Sequence, residues 1–115
     1  MRVVKKGWGQ ELIWADRTDY CGKNLVFKTG GRSSMHFHMK KDETWYIASG
    51  VFDVHYIDTA TAVTKVKRLV AGDTWHNPVG MPHQLVCADA GTVVEASTHD
   101  DPNDNYRVAP GDSQA

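Results

Sequence analysis

Cysteine is scarce in this sequence: Cys21 and Cys87 are the only two. A disulfide framework is therefore not expected, and a reducing, cytoplasmic setting is. No run approaches the roughly 18 apolar residues of a membrane-spanning helix. The opening MRVVKKGWGQELIW carries basic residues but lacks the apolar stretch of about 7 to 15 that marks a secretory signal, so none is expected. Neither sign of charge dominates, with 13 Lys and Arg against 14 Asp and Glu. Nothing in that balance recommends nucleic acid or a membrane surface as a partner. Long segments of helical periodicity are missing too, as are internal repeats and any domain-sized linker.

What is present is alternation. β-branched and aromatic residues alternate with polar ones between turn signals, which reads as all-β, and 115 residues suffice for one domain with its own core. The pattern predicts strands over 11–15, 23–29, 34–39, 43–49, 51–57, 62–70, 73–77, 83–88 and 92–98. Turns fall at Gly30-Gly31, Ser49-Gly50, Asp58 to Thr61, Ala71-Gly72, Pro78 to Pro82 and Asp89 to Gly91. Short strands at this spacing suggest a sandwich or a barrel. The remainder, residues 101–115, is acidic and rich in Pro and Asn, and is expected to be surface loop passing into disorder.

One stretch concentrates chemistry: Gly30 to Gly50, GGRSSMHFHMKKDETWYIASG. Residues two apart on a strand share a face, so His36 and His38 can present two imidazoles to one ion. A short polar hairpin, Met39 to Asp42, would return the chain and let Glu43 open the neighbouring antiparallel strand with an oxygen ligand. His83, after a Gly/Pro-rich turn, is the candidate fourth ligand. Three imidazoles and a carboxylate leave positions open on the ion, as catalytic metal sites do. One divalent transition metal is expected, and imidazole suits Zn, Fe, Ni and Cu alike, with Mn also in range.

These residues carry a family resemblance. Gly30, His36, His38, Glu43 and Gly50 stand at the spacing of the first cupin motif, and Gly72, Pro78, Gly80 and His83 at that of the second. The second motif usually has Asn four residues beyond its His; here Cys87 stands there, about 13 Å along a strand from His83 and so remote from the ligands. The resemblance spans roughly residues 8 to 98. It implies a cupin-type jelly roll, a double-stranded β-helix barrel, over residues 1–100 with a single metal inside, motif one at 30–50 and motif two at 72–87. Sugar-handling cupins, phosphomannose isomerase domains among them, are similar in further ways. They often begin with a Trp-Gly like Trp8-Gly9, carry a basic residue two before the Glu, as Lys41 is here, and end in an Asp-rich approach to an Arg, as Arg107 has. Those cupins typically place Gln where this chain has His36.

Other positions have two readings each. Trp8 is a core plug at a barrel mouth or part of that sugar-cupin signature. Met35, Phe37, Met39 and Tyr46 have outward parity, an apolar row that marks either a homodimer face or a surface covered by the N-terminal segment. Trp45, Ile47, Leu85 and Cys87 have inward parity and are core, with Trp45 near enough to the ligands to touch a substrate. His76 lines the pocket mouth as a proton carrier or is a loop residue, and His55 is expected to be solvated. Arg32, Lys40 and Lys41 are solvated, or pair with an anionic substrate; Lys41 could also move protons. Arg107 either belongs to the loose tail or reaches the substrate.

The expectation for function is a metal-dependent sugar or sugar-phosphate isomerase acting through a metal-stabilised enediolate, with Glu43, His76 and Lys41 as proton carriers and Arg32, Trp45 and Arg107 on the substrate. A non-catalytic, metal-dependent small-molecule binding module is one alternative, and an iron dioxygenase with three His and one Glu is the other.

Overall fold

A computed structural model describes all 115 residues and contains eleven strands and one short 3-10 turn, Asp112–Gln114. The strands are β1 Arg2–Lys6, β2 Gly9–Asp16, β3 Cys21–Phe27, β4 Met35–Phe37, β5 Glu43–Ile47, β6 Val51–Asp58, β7 Val63–Val70, β8 Thr74–Asn77, β9 His83–Asp89, β10 Gly91–Ser97 and β11 Tyr106–Ala109. They form two antiparallel sheets, in the orders β1-β2-β3-β10-β5-β8 and β11-β4-β9-β6-β7. This is the all-β architecture that the alternation and turn chemistry imply and the jelly roll that the family resemblance implies. Each predicted strand is present with ends moved by a residue or two, apart from the one over 34–39, which shortens to Met35–Phe37.

Four expectations are corrected. Residues 39–42 are not a hairpin between paired strands, because β4 and β5 lie in different sheets; this turn crosses from one sheet to the other. Local sequence predicts the reversal but is silent on which strand the chain then pairs with. Second, the supposed loose tail contains β11, which pairs with β4 through Tyr106↔Phe37 and Arg107↔His36. It buries almost nothing itself, so no alternation marks it. Its approach is close: a Cβ on Gly111 would stand 2.4 Å from the Ser33 carbonyl carbon. Third, the apolar outward row is broken. Met35 is buried, and Tyr46 lies on the outer face of the opposite sheet. Phe37 stacks on Tyr106, ring centroids 5.3 Å apart. His55, expected in solvent, is half-buried.

Register then sorts the interior by polarity. Glu95 of β10 stands opposite Lys23 of β3 and Trp45 of β5, while Val93 stands opposite Leu25 and Ile47. One end of the barrel is therefore polar and the other apolar. The apolar end packs Ile47, Phe52, Val54, Leu69, Leu85, Cys87 and Val93, all 2% exposed or less, with Trp8 stacked on Phe27 at 4.0 Å as the plug beside them. Gly50 closes the β5–β6 turn at φ +84°, where any Cβ would also meet Asp89 O at 2.6 Å, which accounts for glycine at this motif position.

Removing a fully buried aromatic from the apolar end leaves a cavity that the surrounding strands cannot close. Phe52→Ala is expected to cost about 3–5 kcal/mol in equilibrium urea unfolding.

Candidate metal centre

The polar end collects the histidines. His36 on β4 and His83 on β9 are cross-strand neighbours in register, and His38 follows two residues after His36. Ring centroids lie 4.9 Å apart for His36 and His83, 5.2 Å for His36 and His38, and 5.7 Å for His38 and His83. One nitrogen from each lies within 4.8 Å of the others. Glu43 arrives from the facing sheet, its Oε1 2.8 Å from His83 Nε2.

Second contacts decide the protonation of these rings. A main-chain carbonyl can only accept a hydrogen bond, and each Nδ1 faces one: Ser34 O at 3.0 Å from His36, Asp104 O at 2.6 Å from His38, Met81 O at 3.0 Å from His83. Each ring therefore carries its proton on Nδ1 and leaves the Nε2 lone pair free. The Ser34 hydroxyl also lies 2.9 Å from His36 Nδ1. Burial, reinforced by the charges of His83 and His38, pushes the His36 pKa down to about 3, and burial likewise lowers that of His38. Both rings are thus neutral ligands near neutral pH.

His83 Nε2 is buried with no hydrogen-bond partner, even though Glu43 Oε1 is so near. A lone pair and a carboxylate oxygen held together without a proton between them repel, and a cation shared by both removes the repulsion. Glu43 is itself oriented: Trp75 Nε1 donates to Asn77 Oδ1 at 2.8 Å, and Asn77 Nδ2 donates to Glu43 Oε1 at 3.2 Å. Three imidazoles and one carboxylate fit a divalent transition-metal ion with positions left open.

A second cluster lines the same end. Lys41, 4% exposed, places Nζ 2.8 Å from Glu95, 3.1 Å from Asp100 and 3.5 Å from Glu43. Lys23, equally buried, lies 3.5 Å from Glu11, 3.5 Å from Asp100 and 3.8 Å from Glu95. Carboxylates outnumber ammonium groups here, which favours proton uptake by one of them. Burial and the Glu43 charge push Glu95 up to about 7, whereas Glu43 is held well below the usual range despite its burial, with the Lys41 ammonium 3.5 Å away. Trp45 Nε1 and the Ser97 hydroxyl both donate to Glu95, at 3.3 and 3.2 Å.

Both clusters open on a cavity of about 250 Å³, walled on its apolar side by Trp8, Phe27, Trp45 and Leu85. Of the expected substrate and proton-transfer residues, Lys41, Glu43 and Trp45 line it, and Arg107 lines it from β11. His76 does not: strand parity turns Trp75 and Asn77 inward and His76 outward, where it meets Asp42 at 2.6 Å. Arg32 is also outside, its side chain in solvent with Nε 3.7 Å from Asp112. Lys23, Glu95, Glu11 and Asp100 were not foreseen. Parity carried a signal for two of them, since Lys23 is in phase with Leu25 and Phe27, and Glu95 with Val93.

No family model matches the chain, and no curated protein matches it in sequence. Solved structures do match in shape. KdgF from Halomonas sp. superposes with a TM-score of 0.70 over 82% of this chain and 81% of its own, at 22% identity. An RmlC-like cupin from Shewanella frigidimarina gives 0.73 over 89% and 86%, at 20% identity. The fold is a cupin fold. A Bacillus subtilis oxalate decarboxylase variant gives 0.79 at 18% identity over 93% of this chain, yet this chain spans only 30% of that longer protein. No helix is long and apolar enough to cross a membrane.

His38→Ala is expected to lower sharply the metal content of protein purified without added metal; unchanged occupancy by elemental analysis removes His38 from the ligand set. Glu95 gives a pH prediction. Its carboxyl takes up a proton on folding between its ordinary 4.5 and about 7, so the metal-free protein loses stability as pH rises through that window. Glu95→Gln should flatten that decline in thermal melts, and an unaltered profile assigns it to another group.

Proposed function

We propose that this cupin is a metal-dependent isomerase of a small polyhydroxylated carbonyl compound, a sugar or sugar phosphate in its open form. The observation that supports an enzyme over a non-catalytic binding module is the wall of acid and base groups, Lys41, Lys23, Glu95 and Asp100, on the cavity that His36, His38 and Glu43 also line. A binding pocket has no need of a carboxyl poised near neutrality at such a position.

A divalent ion held by His36, His38, Glu43 and His83 would polarise the substrate carbonyl and its neighbouring hydroxyl. Glu95 then acts as the base. It takes the proton from the carbon beside the carbonyl and returns it to the former carbonyl carbon, while the hydroxyl proton on that neighbouring carbon passes to the former carbonyl oxygen. Aldose becomes ketose with nothing gained or lost. Lys41 stays protonated, because its carboxylate neighbours outweigh the cost of its burial, and it offsets charge on Glu95 rather than carrying the proton. Lys23 and Lys41 are already paired, so a substrate phosphate is left to Lys6 and Arg107, which line the cavity with no carboxylate within 4 Å.

The ligand set alone also suits an iron dioxygenase, but no residue of the cavity favours that reading. Cys21 and Cys87, buried and unpaired, support a cytoplasmic setting. The homodimer expectation now rests on Phe37, Met39 and Tyr106, and a monodisperse monomer in solution scattering removes it.

Metal-loaded protein incubated with aldoses and aldose phosphates in D₂O is expected to exchange the proton beside the carbonyl and to form ketose, followed by NMR. Glu95→Gln should lower the rate by about 10²–10⁴-fold with metal content unchanged. Oxygen uptake without isomerisation, or binding without exchange, defeats the proposal.

A further inference from the structure

Asp104 lies in the C-terminal segment, 61 residues beyond Glu43, and its side chain takes no place in the cavity wall. It is nonetheless 4% exposed, and every polar atom it turns toward the barrel is engaged. Its Oδ1 accepts the Met39 amide at 2.8 Å, and its Oδ2 accepts those of Lys40 at 3.0 Å and Lys41 at 2.9 Å. Successive amides converging on one carboxylate make a small anion nest, here filled by the chain itself. The same residue's main-chain oxygen accepts the His38 Nδ1 proton at 2.6 Å. Asp104 is in turn held by its own loop, its amide donating to Asp101 O at 3.0 Å.

The segment that Asp104 grips is the turn between two candidate ligands. His38 follows β4 in one sheet and Glu43 begins β5 in the other, with only residues 39–42 between them. No ladder hydrogen bonds span that crossing, because β4 and β5 do not pair, so the separation of the two ligands is set by whatever fixes the turn. Thr98 holds its far end, its hydroxyl accepting the Asp42 amide at 3.1 Å, and Asp104 holds the remainder. Four residues earlier, Asp100 reaches Lys41 and Lys23.

We infer that Asp104 is a positioning residue for the metal site, and that ion binding and the seating of residues 100–104 against the barrel are one linked equilibrium. The inference rests on the reading of His36, His38, Glu43 and His83 as ligands. An ion on His38 Nε2 needs the ring orientation that the Asp104 carbonyl selects through Nδ1, so each event favours the other, and the linkage is reciprocal. Nothing in this requires Asp104 to meet substrate.

The test reads affinity, not turnover. Competition with a chromophoric chelator gives the Kd for Zn²⁺ and Co²⁺, and the visible spectrum of bound Co²⁺ reports the geometry of the ligands. Asp104→Ala is expected to weaken both ions by about 10–100-fold and to alter the Co²⁺ spectrum, and Asp104→Asn, which keeps an acceptor oxygen, to recover part of the loss. A variant that melts at a lower temperature but keeps its Kd within about twofold, with the same spectrum, overturns the inference and leaves Asp104 a structural residue. Should both variants fail to fold, hydrogen exchange on the unaltered protein decides: Zn²⁺ is expected to slow exchange at the Met39, Lys40 and Lys41 amides, and no change there overturns it. Failure of the unaltered protein to bind either ion overturns the ligand assignment itself, and this inference with it.

Discussion

Everything at the polar end follows from three ring protons, each committed to a main-chain oxygen. Once Ser34, Met81 and Asp104 take the Nδ1 protons, three Nε2 lone pairs have no protein donor to meet and converge with a carboxylate. A protein interior tolerates such a cluster of acceptors poorly. The buried, unpartnered nitrogen of His83 makes the deficit plain. A cation would supply what the protein withholds.

The second cluster is organised by the same shortage of positive charge. Lys41 and Lys23 are taken out of water at a cost that isolated ammonium groups could not bear, and carboxylates from three strands and the C-terminal segment make their burial possible. Because Glu43 belongs to both clusters, the state of one is felt in the other. An ion on Glu43 would draw its charge away from Glu95, which lies on the neighbouring strand β10. Metal chemistry and proton chemistry therefore share a residue and are not independent modules.

Much of the architecture was legible beforehand, because period-two alternation is a local property and turns announce themselves through Gly, Pro and Asp. The four candidate ligands were legible through spacing. What escaped the sequence is non-local. His76 and Asn77 are adjacent, and only the pairing of β8 with β5 shows that Asn77 reaches Glu43 while His76 turns away. Lys41 sits in a hairpin-like run of charged residues that normally points into solvent; its burial depends on Glu95 and Asp100, each more than fifty positions distant. Asp104 stands in a segment whose composition resembles disorder, and its ordering comes from amides on another element. Composition describes a segment's own tendencies and carries no record of the partners that override them.

The division of the barrel into a greasy end and a charged end has a consequence for how such a chain can change. Residues that set its melting behaviour and residues that set its chemistry occupy different strata of the same strands, joined by register and meeting at Trp8, Phe27, Trp45 and Leu85. Replacements among the acids, amines and imidazoles can accumulate while the floor beneath them stays intact. One scaffold can thereby be carried from one reaction to another without passing through an unfolded ancestor.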